Sequence, residues 1–465
     1  MSSPVVPSLL AALCLAGAWP AARAADPLGT EAYLPLRISP QLAGRTGEAP
    51  CASALPTRPL GVVDVVDLAL CNNPQTREVW AAARLQVALL GVAQAAWLPA
   101  LDARGTVSRT WSEGTGSTPR SAALTLSWLL YDFGARSAGV DNARHLLAAA
   151  AASQDATVQA LFLAALQAYY TAQANRAAVD AARQAERASQ ESLNAAEVRY
   201  KVGTGTPADR LQAQTAYSQA VLNRIRAEGE FQNALGGLAN AMGFDANQAF
   251  VLDDIPALLP DAGFERDIGA LIDEARRRRP DLAAAEAQVA AAQAGVEQAR
   301  AAGRPTIALA AGPTWQNVGG VSSEGGSVGL TLSVPIFSGF STTYRVRAAE
   351  AQVEVKGAQR DRLARQVALD VWRSRQGLTT ASQSLKTTAA LVASAEQSEK
   401  VALGRYKAGL GSILDVLNAQ SALAAARQQR IQATLDWQVS RAALAQAVGS
   451  LDYSLLQSAE AGKQP

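Results

Sequence analysis

The sequence is poor in the side chains that bind soft metals. It has one histidine, two methionines and three cysteines among 465 residues. Because these are the ligands that a soft-metal conduit needs, the composition argues against that class of protein. Charge is almost balanced, with 42 lysines and arginines against 40 aspartates and glutamates. A nucleic-acid-binding protein needs a concentrated basic patch, and this balance gives no support for one.

Motifs of catalysis are missing as well. The sequence contains no nucleotide-binding loop, no paired histidine ligands and no nucleophile motif. Its sole histidine, His145, falls in a predicted helix, where a satisfied surface or seam position explains it better than a catalytic role. We therefore expect a protein that is not an enzyme and that uses no cofactor and no metal.

The first 24 residues are expected to be a secretory signal peptide. A short apolar run, VVPSLLAALCLAGAW, precedes a small-x-small cleavage site at Ala22-Arg23-Ala24. No later stretch approaches the ~20 consecutive apolar residues of a membrane helix. The mature chain is thus expected to be exported without a helical anchor.

Cleavage leaves Cys51 and Cys71, an even number in an oxidising compartment, so we expect them to form a disulfide. Two buried free thiols are the alternative.

The chain repeats itself. The phrase RYKVGTGTPADRLQAQ at 199–214 returns as RYKAGLGSILDVLNAQ at 405–420, an offset of 405 − 199 = 206. The same offset joins Pro74 to Pro280, Pro99 to Pro305, Leu124 to Leu330 and Gly243 to Gly449. One constant offset through so many landmarks predicts a tandem duplication. The predicted parts are a signal peptide at 1–24, a proline-rich segment at 25–59, a first repeat at 60–246, a linker at 247–265, a second repeat at 266–452 and a tail at 453–465.

Each repeat is predicted to contain one very long helix, at about 136–200 and 342–406. Both stretches lack proline and are rich in alanine, glutamine, arginine and glutamate, which are good helix formers. About 65 residues of helix extend about 100 Å. Apolar and aromatic residues then recur at coiled-coil spacing, at Val158, Phe162, Ala165, Tyr169 and Ala172. An ordinary coiled-coil hairpin fits these helices equally well.

Two alternating segments precede each long helix. Apolar side chains alternate with polar ones at Leu101, Ala103, Gly105, Val107 and Trp111, at Leu124, Leu126, Trp128 and Leu130, at Ile307, Leu309, Ala311 and Trp315, and at Val328, Leu330, Leu332, Val334 and Ile336. Such period-two runs with terminal aromatics are typical of membrane β-barrel strands, although soluble hairpins fit each pair alone. The smallest membrane barrels have about eight strands. If these four strands span a membrane, several chains must therefore contribute strands to one barrel.

With these features the sequence resembles the TolC family of outer-membrane efflux and secretion channels. The duplicated RYKxGxG…D turns and the LTLSxPIFSG strand end carry the resemblance, and the stretch LALCNNPQTREVW is most similar to the CyaE-type toxin-secretion branch. The resemblance implies a mainly α fold with a small membrane β-barrel. It implies a homotrimer in which twelve strands form the barrel and long coiled-coil helices form a periplasmic tunnel. Leu129, where the duplicate has Pro335, and the DFG at 132–134 depart from the family pattern.

The same resemblance implies the function and the partners. We expect the outer-membrane exit duct of a type I secretion system, working with a periplasmic adaptor (membrane fusion protein) and an inner-membrane ABC transporter. Its substrate would be a secreted toxin of the adenylate cyclase–haemolysin class, and its barrel would contact outer-membrane lipid. The alternatives are the outer-membrane component of a drug efflux pump, with an RND pump as partner, and a soluble periplasmic coiled-coil adaptor or scaffold.

The repeated turns are the candidate site. Gly203 and Gly409 suit the left-handed position that ends a helix, and Thr206 and Ser412 suit the N-cap of the next one. Capping also explains an aspartate at the third helical position. The resemblance adds three roles: a pore constriction at Asp415 and Asn418, tip closure by Asp209 and Tyr406, and adaptor contacts at Val202, Leu410 and Ile413. It also shows a departure, because Gly411 stands in the place of the family's closing arginine. Tip packing is an equal alternative for Leu410 and Ile413.

Overall fold

The computed structural model describes residues 26–35, 55–112, 115–253 and 267–452. The helices of the first repeat are α1 (Val62–Asn72), α2 (Pro74–Ala95), α3 (Ala135–Lys201) and α4 (Pro207–Ala241), and those of the second are α5 (Ile268–Arg278), α6 (Pro280–Ala301), α7 (Ser341–Lys407) and α8 (Ile413–Val448). The strands are β1 (Ala100–Val107), β2 (Thr110–Ser112), β3 (Thr115–Ser117), β4 (Arg120–Tyr131), β5 (Thr306–Val318) and β6 (Val321–Ser333). A short 3₁₀ helix covers Thr30–Tyr33.

The helices carry the duplication. The starts of α1 and α5 differ by 268 − 62 = 206 residues, and α2 and α3 recur as α6 and α7 at the same offset. The two long helices have 67 residues each, which confirms the prediction to within one residue at each end. At 1.5 Å per residue each is about 100 Å long. Prolines begin α2, α4 and α6, where a missing backbone N–H costs no helical hydrogen bond.

The predicted seam of α3 is buried. Val158, Phe162, Ala165, Tyr169 and Ala172 are each at most 2% exposed. They pack in one core with residues of α1 and with Leu238 and Met242 at the end of α4. A second core joins α5, α7 and α8 around Val367, Val371 and Trp437.

One expectation about α3 needs correction. In the described chain this helix contains an 18-residue window of mean hydropathy 1.3, long and apolar enough to cross a membrane by length and composition. No such stretch was expected, because no part of the sequence after the first 24 residues approaches ~20 consecutive apolar residues. The helix is rich in alanine, and Phe162 and Leu166 within it are buried in the core.

The strands form an antiparallel sheet in the order β1-β4-β5-β6. Strands β1 and β6 are therefore its edges. A two-stranded extension, β2 with β3, lies between β1 and β4 along the chain. The predicted strand at 328–336 is wrong at its end, since β6 stops at Ser333. Pro335 follows, and a proline cannot donate a hydrogen bond to a neighbouring strand.

The register places the predicted apolar residues on one face. Leu101 pairs with Leu126, and Leu126 pairs with Ala311, which pairs with Val328. Many large side chains of this face are exposed, with Val328 80% exposed and Leu330 67% exposed, while Leu126, Ile307 and Leu309 are half-buried. The opposite face carries mainly serine, threonine, alanine and glycine. The alternation predicted from sequence is therefore present across all four strands.

The sheet belongs to a compact unit with the adjoining ends of α2, α3, α6 and α7, and the remaining helical segments form another unit. Within the sheet unit, Arg136 and Asp132 form a buried ion pair at 3.0 Å. The Arg136 guanidinium also donates to the carbonyl of Leu129 at 2.6 Å and lies 4.2 Å from the centre of the Trp97 ring. This network fixes the turn from β4 into α3. In the second repeat the equivalent residues are Ser338 and Thr342, whose hydroxyl oxygens lie 3.3 Å apart.

The disulfide falls partly outside the description. Cys71 is disulfide-bonded. Cys51 lies outside the described residues, as do the predicted signal peptide at 1–24 and the predicted tail at 453–465. The Cys51–Cys71 pairing therefore stays a prediction, which peptide mapping under non-reducing conditions tests.

Gly243, which follows α4, allows a close backbone approach, and we predict that Gly243→Ala destabilises the protein. Its φ is 82°, and an added Cβ would lie 2.7 Å from the carbonyl carbon and oxygen of Asn72. The left-handed conformation alone costs a residue with a Cβ about 1–2 kcal/mol. Thermal unfolding in detergent should therefore show a lower Tm. The control is Gly229→Ala, inside α4 with nothing within 4 Å of the new Cβ, which should leave the Tm unchanged or higher. Equal Tm values for the two variants would contradict the prediction.

Candidate functional site: the paired helical turns

The turns after α3 and α7 have the same backbone. Gly203 and Gly409 are left-handed, with φ of 79° and 78°. The N–H of Thr204 donates to the carbonyl of Arg199 at 2.9 Å, and that of Leu410 donates to Arg405 at 2.9 Å. These bonds satisfy carbonyl groups that would otherwise be unpaired at the helix ends. Gly203 and Gly409 are thus the left-handed residues that follow α3 and α7.

Both following helices begin with a capping box. The Thr206 hydroxyl accepts from the N–H of Asp209 at 3.1 Å, and the Asp209 carboxylate accepts from the N–H of Thr206 at 3.1 Å. Ser412 and Asp415 make the same two bonds at 3.2 and 3.1 Å. The backbone N–H of Ser412 is the main cause that lowers the pKa of Asp415, and nearby Arg405 lowers it further. Asp415 is therefore both an N-terminal cap and an exposed negative charge.

The tip also has a small apolar core built from both repeats. Tyr406, Ile413 and Val416 pack there with Leu193 and Ala196 of α3. Ile413 is 1% exposed, which favours tip packing over an adaptor contact for this residue, because a side chain in this core has no free surface. Val202 and Leu410 are 66% and 74% exposed, so these two can still meet a partner.

An arginine joins the two repeats at the tip. The Arg199 guanidinium donates to the carbonyl of Tyr406 at 2.6 Å, and its Cζ lies 4.8 Å from the centre of the Tyr406 ring. Cation–π contact and a charge-assisted hydrogen bond thus act on one residue. Its repeat equivalent, Arg405, reaches only the carbonyl of Leu410, in its own turn. Tyr200, equivalent to Tyr406, is exposed and lies under Arg210.

The two residues expected to close the tip are not bonded to each other. Among the described residues Asp209 is held by its cap, and no hydrogen bond joins it to Tyr406. Burial raises the pKa of Tyr406, nearby Arg199 lowers it, and the charge of Asp209 raises it again. Sequence reasoning missed Arg199, although the residue stands in the repeated phrase, because Arg405 has the same local sequence and a different partner.

The residues expected at the pore constriction do lie together. Asp415 and Asn418 line a groove between α7 and α8 that Arg405 also lines. The other lining residues are mainly alanine and serine, which keep the groove wide. Farther along, Gln420 donates to the Ser192 hydroxyl at 2.9 Å and to the Ala188 carbonyl at 3.2 Å, a second cross-repeat contact.

Comparison with known proteins agrees with this architecture. The sequence profile of the family described as outer membrane efflux protein matches residues 65–244 and 271–450. The chain is 32% identical to Protein CyaE of Bordetella pertussis over 406 residues, covering 85% of each chain. It is 27% identical to the alkaline protease secretion protein AprF of Pseudomonas aeruginosa over 423 residues, covering 86% of each chain.

A solved structure shows the same fold. The outer membrane protein VceC of Vibrio cholerae is 21% identical, with a TM-score of 0.73, covering 83% of this chain and 96% of VceC. The mainly helical fold with a small sheet, predicted from the TolC resemblance, is therefore confirmed. Because the family profile matches each repeat separately, the chain belongs to the outer membrane efflux protein family and is an outer-membrane channel protein with a periplasmic tunnel.

Proposed function

We propose that this protein is the outer-membrane exit duct of a type I secretion system. The similarity to CyaE over 85% of each chain carries the proposal, since the TolC resemblance assigns CyaE to the toxin-secretion branch. The similarity to AprF, a protein named for the secretion of alkaline protease, also supports a secreted protein as the substrate. The proposed cargo is a toxin of the adenylate cyclase–haemolysin class, whose release would cause cytolysis and haemolysis. The family consists of channels, which indicates a protein that is not an enzyme.

The sheet supports assembly into a homotrimer. In lipid, an unpaired strand edge leaves backbone N–H and C=O groups without partners, at a cost of several kcal/mol each. Strands β1 and β6 are such edges in a single chain. Three copies that join β1 to β6 give a closed barrel of twelve strands, above the minimum of about eight. The edges thus favour a closed oligomer.

The tip supports docking of a periplasmic adaptor, which would connect the duct to an ABC transporter in the inner membrane. Val202 and Leu410 are exposed apolar side chains on the two repeated turns. Lys201 and Lys407 end the helices beside them. An apolar contact with a rim of charge is a usual composition for a protein interface.

Two other functions are alternatives to secretion. Drug efflux, with an RND pump as partner, uses the same duct, and the family description favours it. A soluble adaptor or scaffold is disfavoured by the sheet, because Val328, Leu330 and Leu332 are all at least 63% exposed on one face. In water such a continuous apolar surface would promote aggregation.

Deleting the gene in its host separates secretion from efflux. We expect the toxin to disappear from the culture medium while it accumulates in the cells, with unchanged susceptibility to drugs and detergents. Complementation with the wild-type gene should restore secretion. Complementation with a gene that encodes Gly243→Ala measures how much secretion is lost when the channel is only destabilised. Normal secretion together with greater drug susceptibility would contradict the proposal and favour efflux. A gene cluster with an ABC exporter, an adaptor and a large Ca²⁺-binding repeat toxin would support secretion.

We predict that Asp415→Asn reduces cation selectivity in planar bilayers. The folded-state pKa of Asp415 is lowered, so its carboxylate stays ionised at neutral pH, and its contribution to the cap is lost only as the pH falls through that lowered value. Asparagine keeps a polar side chain at the helix start and removes the charge. Block by multivalent cations should weaken too. The control is Asp209→Asn, at the equivalent cap of the first repeat. If neither variant changes selectivity, both residues are caps only, and if only Asp209→Asn does, the pore lies at the other repeat.

We predict that Arg199→Ala raises channel conductance and shortens the closed intervals. Loss of the hydrogen bond to Tyr406 and of the ring contact should destabilise the joint between the repeats by roughly 2 kcal/mol. Arg199→Lys should give an intermediate effect, because lysine keeps the charge without the planar guanidinium. The matched control is Arg405→Ala, which breaks no contact between repeats, and because Arg405 lines the groove of Asp415 the two variants are compared by their closed intervals and not by their conductance. Equal effects of Arg199→Ala and Arg405→Ala would show that the arginines act only within their own turns.

A further inference from the structure

The polar face of the four-stranded sheet carries only two charged side chains. Both belong to the edge strand β1, where Asp102 and Arg104 are two residues apart and therefore on the same face. The matching positions of β4, β5 and β6 hold uncharged residues. The other charges of the sheet, Arg120 and Glu324, fall on the apolar face in this register.

The register surrounds these two charges with small residues. Arg104 lies opposite Ala123, and the same row continues through Thr314 to Gly325. Asp102 lies opposite Thr125. Within the described part of the chain, neither Asp102 nor Arg104 has an ion-pair or hydrogen-bond partner. Each is exposed, so its charge is solvated and acts on whatever passes in front of it.

A neighbouring copy cannot neutralise them on the barrel wall. If β1 pairs with β6 of another copy, the polar face of β1 meets the polar face of β6, whatever the register. That face of β6 holds Val321, Ser323, Gly325, Ser327, Gly329, Thr331 and Ser333, none of them charged. The carboxylate and the guanidinium therefore stay unpaired by wall residues after the barrel closes.

The two charges stand at different depths. Strand β1 starts at the end of α2 and runs towards the β2–β3 extension. Asp102 is therefore nearer the helices, and Arg104 lies about 7 Å farther along the strand. Three copies place three carboxylates at one level and three guanidinium groups at the next level outwards.

We propose that Asp102 and Arg104 set the charge preference of the barrel lumen, with cationic groups of a passing solute or polypeptide favoured at the Asp102 level and anionic groups at the Arg104 level. The inference rests on the proposed channel function, because it needs the polar face to line a water-filled barrel. Cargo leaving the tunnel meets the acidic level first and the basic level second. Salt weakens the electrostatic preference at both levels, because the Debye length shrinks from about 30 Å at 0.01 M to about 10 Å at 0.1 M.

Thiol probes at the facing positions of β4 measure the potential directly. The variants Ala123→Cys and Thr125→Cys place a thiol opposite Arg104 and Asp102, where facing Cβ atoms are about 5 Å apart. Each is labelled in outer membranes at low salt with a sulfonate and with a trimethylammonium methanethiosulfonate reagent. The rates are divided by that of a neutral reagent, and labelling of the parent protein is subtracted. This readout does not depend on the resistance of the tip.

We expect the sulfonate to react faster at Ala123→Cys and the trimethylammonium reagent faster at Thr125→Cys. Adding Arg104→Gln should slow the anionic reagent and speed the cationic one at the first probe by about fourfold each, the order expected for one unit charge about 5 Å away in water, so the anion-to-cation rate ratio should fall roughly tenfold or more. Adding Asp102→Asn should raise the ratio at the second probe by a similar factor. Both changes should shrink as salt is added. Arg120→Gln, which removes the same charge from the opposite face, should leave the ratio at Ala123→Cys unchanged.

A third probe separates the failure of this proposal from failure of the channel function. Ala122→Cys lies on the apolar face, so lipid should protect it from both charged reagents. If it is protected while Ala123→Cys and Thr125→Cys react with ratios that ignore Arg104→Gln and Asp102→Asn, the charge preference is overturned and the channel stands. If Ala122→Cys reacts as fast as Ala123→Cys, the sheet is not a membrane barrel wall, and both proposals fall.

Discussion

The pairing of backbone groups at the two edges of the sheet is the constraint on which the rest of the structure depends. One chain supplies β1, β4, β5 and β6, and its outer strands have no partner on one side. Many large apolar side chains of one face are exposed, so this face is suited to an apolar solvent. Lipid satisfies that face and cannot satisfy the edges. A closed barrel from several copies meets both demands, and the long helices that continue from β4 and β6 are then brought together as well.

Duplication provides this architecture economically, and a few substitutions make the two halves different. The turn from β4 into α3 is fixed by the buried Asp132–Arg136 pair, whereas the second repeat has two hydroxyl groups there. A buried ion pair is expensive to break, because the remaining charge is left without a partner. At the other end of the long helices, Arg199 reaches across to Tyr406 while Arg405 stays in its own turn. The two repeats therefore have the same backbone conformation at these turns, but only the arginine of the first repeat contacts the other repeat.

Much of the fold could be predicted from local sequence. The bounds of the long helices were accurate because both stretches lack proline and left-handed glycines follow their ends, and the seam at Val158 and Phe162 follows from spacing. The end of β6 was missed because alternation continued to Ile336 through Pro335, which cannot pair. The sequence left Ile413 open between an adaptor contact and tip packing, and packing against α3 of the other repeat buries it. Contacts between residues some 200 positions apart leave no local signal, so the Arg199 joint was not predicted.

Asp415 shows how one residue can serve the fold and the proposed pore together. Three carboxylates near one axis would repel one another, which raises their pKa and favours protonation. The capping box acts in the opposite direction, because the N–H of Ser412 stabilises the ionised carboxylate and lowers the pKa of Asp415. Arg405 lowers it further and lines the same groove. The hydrogen bonds that start α8 thus help to keep the proposed acidic ring charged at neutral pH. The cap of the helix and the proposed selectivity of the pore therefore depend on the same carboxylate.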